Sequence, residues 1–300
     1  MHPQTRPRLE KRARQTQLLQ TFSPARPLLA LLVVSAFVLL FVLWLIFQPR
    51  LVEQRRRRVR ARPFPAAWRE ILKQRVPYFR RLPADLQLQL KRHIQVFLAE
   101  KPFIGCDGLE ITDEMRVTIA AQACLLLLNR PAGYYPQLRQ ILVYPGAFIV
   151  ERLHGDGSGV LQNWRQVLSG ESWSRGQVIL SWQDAAEGAA VADDGHNVVI
   201  HEFAHQLDQE TGEANGAPSL GGRRRYRQWS QVLGEEFAAL QSRAAAGETS
   251  LFSDYGATSP AEFFAVASEV FFEQSEAMAA LHPALYRELS GFYRLDPLSW

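Results

Sequence analysis

Two histidines and a glutamate near residue 200 have the types and spacing of a metal site. His201 and His205 are four residues apart, and Glu202 directly follows the first histidine. On a helix, residues four apart lie on one face, so both imidazoles could reach one ion from the same side. Zinc is the metal that this pattern favours, and the glutamate would then take a proton from a water at the ion. The pattern indicates metal-assisted hydrolysis.

The segment that carries these residues has the composition of a buried helix. Residues 198–208 are mostly apolar outside the His-Glu-x-x-His motif, and no glycine or proline interrupts them. A core helix with two hydrogen-bonded histidines and an exposed glutamate is the structural alternative. Because the chain has only seven histidines, finding two of them at this spacing favours the metal site.

A hydrolytic zinc site needs a third protein ligand and an open position for water. Thr211 stands six residues after His205, so the third histidine of a metzincin is absent. The segment from residue 259 predicts a helix with Glu262 and Glu269 on roughly one face. Residues 259–262 also fit a capping box, in which Glu262 would only satisfy the amides of its own helix. Spacing alone leaves both interpretations of Glu262 open.

The elements around the motif predict an α+β fold with a small mixed sheet. Apolar periodicity predicts three helices in residues 64–130, and further helices around Trp229 and from residue 259. Strands are predicted at residues 141–144, 148–150, 160–168 and 177–182. We expect a turn at residues 169–172 and a short acidic loop at residues 184–194.

The N-terminal part predicts a membrane-spanning helix. Residues 28–47 are twenty residues without a charge, which is long enough to cross a bilayer core. A cleaved signal peptide is the alternative, but the apolar run is longer than a signal core and no small-x-small site follows it. Residues 1–62 hold thirteen Lys and Arg residues, and the denser group follows the apolar run. The positive-inside rule therefore places the C-terminal side in the cytoplasm.

Composition limits the remaining possibilities. The formal charge is +4, but the basic excess lies in residues 1–62 and the rest of the chain is acidic. Direct nucleic-acid binding is therefore not expected. The two cysteines, Cys106 and Cys124, form no C-x-x-C pair, so neither a disulfide framework nor a cysteine zinc site is indicated.

Two longer motifs resemble the Mlc titration factor A family of zinc peptidases. They are HEFAHQLD at residues 201–208 and DYGATSPAEFFAV at residues 254–266. The second motif is also similar to the catalytic segment of anthrax lethal factor, a gluzincin. Shorter matches to the titration factor family extend the resemblance from about Pro65 to the end of the chain; they lie at residues 141–145, 169–173, 178–182 and 292–297.

The resemblance implies a gluzincin-like zinc metallopeptidase domain with His-Glu-x-x-His on its active-site helix. It implies one zinc ion per chain, held by His201, His205 and Glu262, with Glu202 as the general base. It also places Tyr255 beside the site, where the hydroxyl would stabilise the tetrahedral oxyanion. An ordinary aromatic residue next to a turn is the alternative for this tyrosine.

Two supporting residues remain open, and one position departs from the pattern. Asp208 could orient a ligand histidine, cap its helix or pair with an arginine, and Glu269 is a weaker alternative ligand. The lethal factor pattern has a second glutamate four residues after its ligand glutamate, where this chain has Val266. A supporting carboxylate is therefore missing, or it comes from elsewhere.

The expected organisation is a membrane anchor followed by one enzyme domain. The expected parts are a basic tail (1–27), a transmembrane helix (28–47), a basic linker (48–63) and a metallopeptidase domain (64–300) with a helical part (64–135) and a catalytic part (136–300). We expect a single-pass membrane protein whose catalytic domain lies on the cytoplasmic side. The familiar titration factor is soluble and cytosolic, so its localisation does not transfer to this chain.

The predicted activity is hydrolysis of peptides or proteins, of the aminopeptidase type. The strand at residues 178–182 is predicted to be a sheet edge that aligns an extended peptide. The alternative is a regulatory protein that binds a transcriptional repressor of the Mlc type, with peptidase activity secondary. No residue in the sequence is recognisable as a ligand for a free amino terminus.

Overall fold

The computed structural model describes residues 25–131, 133–155, 161–168, 170–173 and 176–300. The chain forms two compact units, which divide after Arg58.

A single long helix makes up the described part of the first unit. Helix α1 runs from Ala25 to Arg60, just past the unit boundary, and exposes its apolar side chains. Its apolar stretch has a mean hydropathy of 2.7, so by length and composition it could cross a membrane. The predicted helix is present. It is longer than the apolar run, because it continues past Phe47 into the basic segment.

Helices also make up most of the second unit. The helices are α2 (Ala66–Arg75), α3 (Ala84–Glu100), α4 (Asp113–Leu125), α5 (Trp182–Ala190), α6 (Val198–Asp208), α7 (Arg223–Ala246), α8 (Pro260–Glu273), α9 (Ser275–Leu281) and α10 (Pro283–Tyr293). Short 3₁₀ helices lie at Pro77–Arg80, Gln209–Thr211, Asp254–Ala257 and Pro297–Ser299. Helices α2 to α4 correspond to the three helices predicted in residues 64–130, and a short strand at Phe103–Gly105, which was not predicted, lies between α3 and α4.

The strands form a small mixed sheet and a separate hairpin. They are β1 (Phe103–Gly105), β2 (Gln140–Tyr144), β3 (Phe148–Gly155), β4 (Leu161–Leu168), β5 (Gly170–Trp173) and β6 (Gln177–Ser181). The sheet has the order β1-β2-β6-β5, in which the first three strands are parallel and β5 is antiparallel to β6. Strands β3 and β4 pair antiparallel as the hairpin. The predicted α+β class with a small mixed sheet is confirmed.

The helix that carries His-Glu-x-x-His packs against the sheet and against another helix. Helix α6 contacts strands β5 and β6 and helix α8. Its buried residues Val199, Phe203 and Leu207 face the core, where the ring centroid of Phe203 lies 4.8 Å from that of Tyr135. Burial of these apolar side chains fixes the face on which the two histidines stand.

Three local predictions were wrong. Of the turn expected at residues 169–172, Ser169 lies outside the described residues, and the others belong to strand β5, in which Gly170 to Trp173 pair with β6. Gly176, which has φ 79°, is in a turn. The expected acidic loop begins with helix α5, whose first turn is capped by Ser181 Oγ accepting from the Asp184 N–H. Strand β6 lies between β2 and β5, so it is not the edge that was expected to align a peptide.

Candidate metal centre

The N-terminal end of α6 is held by Asn197. Its Oδ1 accepts a hydrogen bond from the Ile200 N–H at 3.0 Å, and its Nδ2 donates to the Gly188 carbonyl and to Glu273 Oε1, both at 2.9 Å. A Cβ added to Gly188 would lie 3.2 Å from Asn197 Cα, so a larger residue would crowd this contact. These bonds join α5, α6 and α8, and they set the position of the first turn of α6.

The structure brings the two histidines together with Glu262. His201 Nε2 lies 3.2 Å from His205 Nε2 and 3.0 Å from Glu262 Oε2, and His205 Nε2 lies 3.2 Å from the same carboxylate oxygen. Among the described residues this is the group whose ligand atoms converge closely enough for a metal ion. Ligand atoms around a tetrahedral zinc ion, with bonds of about 2.0–2.1 Å, lie about 3.3 Å apart. The donor set and its spacing therefore fit zinc.

The backbone and the carboxylate of Glu262 have different partners, and the carboxylate does not satisfy the amides of its own helix. Ser259 Oγ accepts a hydrogen bond from the Glu262 backbone N–H at 3.2 Å and caps helix α8. The Glu262 carboxylate does not turn back to the cap but reaches the two histidines. The Ser259 cap thus fixes the backbone from which the candidate ligand extends.

Glu269 lies beside the centre without joining the ligand group. Its Oε1 is 2.7 Å from His201 Nδ1, and its Oε2 accepts a hydrogen bond from the Asn197 backbone N–H at 2.5 Å. A carboxylate at Nδ1 favours the proton on that nitrogen and leaves the lone pair on Nε2. Glu269 therefore has the position of an orienting residue. The lethal factor pattern has a second glutamate at the position of Val266. In this chain a carboxylate comes instead from Glu269, about one helical turn further along α8.

The electrostatics of the ligand group reflect the close approach of its donor atoms. Burial acts to lower the pKa of His201, but the hydrogen bonds to Glu262 and Glu269 outweigh it, so the pKa lies well above its usual value. Burial acts to raise the pKa of Glu262, but the hydrogen bonds to His201 and His205 lower it to about 2. The carboxylate is thus ionised throughout the neutral range and attracts positive charge.

The remaining predicted residues lie close to this group. Glu202 is 4% exposed, on the same helix as both histidines. Tyr255 lies on the 3₁₀ helix Asp254–Ala257, and its ring centroid is 5.9 Å from that of His201. The ring of Tyr255 is 46% exposed, so it borders the open side of the centre. An acid and a phenol therefore flank the candidate ligands.

Asp208 supports the loop after α6. Its Oδ2 accepts a hydrogen bond from the Gly216 N–H at 2.6 Å, and no histidine or arginine hydrogen-bonds it in the described part of the chain. Burial raises the pKa of Asp208, and the backbone N–H groups of the loop oppose this shift. Gly216 has φ 77°, and a Cβ there would lie 2.3 Å from the Pro260 carbonyl oxygen at the start of α8. Asp208 thus helps to seat the end of α8 that carries Glu262.

Sequence reasoning missed Asn197 and Gly216. An asparagine directly before an apolar helical run is an N-cap signal, so the sequence could have identified Asn197 as a cap. Its bonds to α5 and α8 depend on tertiary packing and left no local signal. Nothing distinguishes Gly216 from the other glycines of its loop until the close approach of α8 is known.

Comparison with known proteins agrees with this geometry. The model of the family described as glucose-regulated metallo-peptidase M90 matches residues 51–294. The chain belongs to this family of metallopeptidases. It is 41% identical over 251 residues to the uncharacterized protein slr2042 of Synechocystis, with 83% of this chain and 91% of that protein covered.

Proteins called Mlc titration factor A are also similar to this M90 chain. The protein of Klebsiella pneumoniae subsp. pneumoniae is 35% identical over 227 residues, covering 75% of this chain and 84% of its own. The protein of Pectobacterium atrosepticum is 38% identical over 206 residues, covering 68% and 77%. The resemblance to the titration factor family is thereby confirmed, and family membership implies a divalent metal ion and a peptide or protein substrate.

Proposed function

We propose that this chain is a zinc-dependent peptidase in which His201, His205 and Glu262 hold one zinc ion and Glu202 is the general base. The observation that carries the proposal is the convergence of two imidazole nitrogens and one carboxylate oxygen at 3.0–3.2 Å. The donors come from two helices whose relative position is fixed by hydrogen bonds away from the ligand atoms. Such a preformed set is what a metal-dependent hydrolase requires.

The residues around the ligands have separate roles in the proposed reaction. A bound zinc ion would supply Lewis-acid polarisation of the scissile carbonyl and acidify a water molecule. Glu202 takes the proton of the attacking water and delivers it to the leaving amine. The Tyr255 hydroxyl donates a hydrogen bond to the oxyanion of the tetrahedral intermediate. Glu269 holds His201 with its Nε2 lone pair toward the ligand group.

A peptide substrate would be aligned by β5. Strand β5 is the outermost strand at its end of the sheet described here and contacts α6. An edge strand can add an extended peptide through backbone hydrogen bonds. This role replaces the one expected for β6. We propose that the enzyme prefers to cleave near the amino terminus of such a peptide, as an aminopeptidase does. Cleavage near a chain end requires only a few residues of the substrate to pair with β5.

The enzyme is proposed to be anchored by α1. The exposed apolar stretch of α1 and the arginines that follow it support a single-pass anchor with the second unit on the cytoplasmic side. Two reporters fused after Trp300 test the orientation. A reporter that is active only in the cytoplasm should be active there, and a reporter that is active only in the periplasm should be inactive. The reverse pattern would overturn the orientation, and release of a shortened soluble chain would indicate a cleaved signal sequence instead.

A regulatory role is the second candidate. The printed name of the titration factor relatives connects them with Mlc, which suggests that this chain also binds a transcriptional repressor of the Mlc type. A pure binding role does not need a buried general base beside the ligand histidines. Glu202 therefore favours catalysis as the main activity.

One experiment separates the two candidates. Zinc content and hydrolysis of aminoacyl and N-blocked peptides would be measured for the full chain and for Glu202→Gln, in detergent micelles. We expect one zinc ion per chain in both proteins and hydrolysis only by the wild type, with unblocked substrates preferred. If both proteins bind zinc and neither cleaves any substrate, the peptidase proposal is overturned in favour of binding.

A further inference from the structure

A cavity of about 530 Å³ lies at the N-terminal end of α6, on the side of the core residue Ile200. We call it the rear cavity. Leu125 and Ile200 form part of its apolar wall. Phe272 and Trp300 form another part, and their rings are stacked with centroids 6.4 Å apart. The ligand histidines and Glu262 do not line it. Its volume is in the range of small-molecule sites in proteins.

The rear cavity has an acidic lining. Asp193, Glu273 and Glu276 border it, against the single cation Arg81 among its lining residues. Burial raises the pKa of Glu273, the amide of Asn197 opposes the shift, and the nearby carboxylates of Asp194 and Glu269 add to it, so that the pKa reaches about 8. Glu273 is therefore largely protonated at neutral pH, and a positively charged ligand beside it would favour its ionised form.

The walls favour an organic cation over a metal ion. The carboxylates of the rear cavity do not converge into a metal-binding group, since the one such group in the described part of the chain is His201, His205 and Glu262. Aromatic faces attract ammonium groups, and the apolar walls can cover a hydrocarbon body. Phe272 and Trp300, together with the carboxylates, thus match an amine attached to an apolar group.

Hydrogen bonds connect the rear cavity with the candidate metal centre. Glu273 Oε1 accepts from Asn197 Nδ2 at 2.9 Å, the Asn197 N–H donates to Glu269 Oε2 at 2.5 Å, and Glu269 Oε1 lies 2.7 Å from His201 Nδ1. Asn197 also caps α6 through the N–H of Ile200, which lines the cavity. A ligand that draws Glu273 toward itself would therefore act on the group that orients His201.

We propose that the rear cavity is a regulatory site for a small organic amine with an apolar body, and that its occupancy reaches His201 through Glu273, Asn197 and Glu269. Binding to the cavity is independent of the proposed peptidase activity. The coupling to His201 rests on the proposed metal site.

Calorimetry on the metal-free full chain in detergent micelles tests binding. The probe is 2-phenylethylamine, and 2-phenylethanol is the neutral control of the same shape. We expect saturable binding of the amine and about tenfold weaker binding of the alcohol, which corresponds to 1.4 kcal/mol. The double variant Asp193→Asn/Glu276→Gln should weaken the amine about fivefold, the scale of one or two exposed charge interactions.

The matched control removes the same charge elsewhere. Glu235→Gln/Glu248→Gln changes two exposed carboxylates that do not line the cavity and should leave the affinity unchanged. Equal affinity for amine and alcohol would overturn the proposal. An equal loss in both double variants would also overturn it, because it would show nonspecific charge attraction.

Cobalt loading tests the coupling without relying on activity. The visible absorption of bound Co²⁺ reports its ligand geometry, so the amine, at a concentration near the Kd of the wild type, should shift the spectrum of the wild type and should shift that of Asp193→Asn/Glu276→Gln less, in proportion to its lower occupancy. A shift of equal size in both proteins would mean that the amine binds the metal directly, which contradicts the coupling. Failure to bind cobalt would refute the proposed metal site, while calorimetry would still decide the cavity.

Discussion

The carboxylate of Glu269 bridges the Nδ1 of His201, at 2.7 Å, and the backbone N–H of Asn197, at 2.5 Å. One side chain from α8 thereby fixes both the first turn of α6 and the imidazole that this helix presents. Glu262 extends from the same helix to the opposite ring nitrogen, Nε2. His201 is held between two carboxylates of α8, and the orientation of its ring follows from the packing of α8 on α6.

Glu269→Gln should lower zinc affinity without unfolding the protein. Loss of a carboxylate behind a ligand histidine typically costs about 10–100-fold in metal affinity. The amide keeps the shape of the side chain but can accept only one of the two hydrogen bonds that Glu269 accepts, so the thermal midpoint of the metal-free protein should fall by no more than the loss of one hydrogen bond implies. Competition with a chelator would give the affinity. Glu248→Gln, at an exposed position after α7, is the control, and a similar affinity in the two variants would remove the orienting role.

Gly216→Ala tests whether the loop held by Asp208 seats α8. The added Cβ would meet the Pro260 carbonyl oxygen at 2.3 Å, and φ is 77°. Gly221→Ala is the matched control, because Gly221 has φ 76° and no atom within 4 Å of the added Cβ. The backbone strain, about 1–2 kcal/mol, is common to both variants.

Only Gly216→Ala should carry the additional cost of the steric contact, about 1–3 kcal/mol, together with weaker zinc binding. Denaturant unfolding of both variants gives the difference in the free energy of unfolding. Equal destabilisation by the two substitutions would show that the contact with Pro260 does not constrain α8.

Local features of the sequence predicted the candidate ligands better than the residues and elements that hold the ligands in position. The His-Glu-x-x-His helix depends on periodicity within residues 198–208, and the cap of α8 depends on residues 259–262, so both could be recognised from short segments. The role of Glu269 was missed because it depends on how α8 crosses α6. Ser181 as a cap and the alanines at 185 and 189 are typical of a helix, which the structure has as α5. The acidic residues of the same segment led to the prediction of a loop. Strand β5 has no independent apolar pattern and owes its conformation to pairing with β6.

Tyr255→Phe tests the proposed oxyanion donor. The ring lies beside His201, so phenylalanine preserves the contact and removes only the hydroxyl. Loss of one oxyanion donor typically lowers kcat about 10²–10³-fold, and we expect KM and zinc content to stay close to those of the wild type. Tyr226→Phe is the control. Tyr226 lies on α7, and its hydroxyl accepts a hydrogen bond from the Leu220 N–H, so this variant should retain full kcat. A normal kcat for Tyr255→Phe would assign this tyrosine to the surface of the site only.

Proline substitutions in β5 test the peptide-binding edge. Successive N–H groups of a strand point to opposite sides, so of Glu171 and Ser172 one directs its N–H toward β6 and the other toward the free edge. Proline at the residue whose N–H points toward β6 removes a hydrogen bond between β5 and β6, so this variant should have a lower thermal midpoint. Proline at the outward position is tolerated in an edge strand, and it should raise KM while zinc content and the midpoint stay unchanged. If the stable variant keeps the KM of the wild type, β5 does not align the substrate, and the peptide must be held by other surfaces around Tyr255.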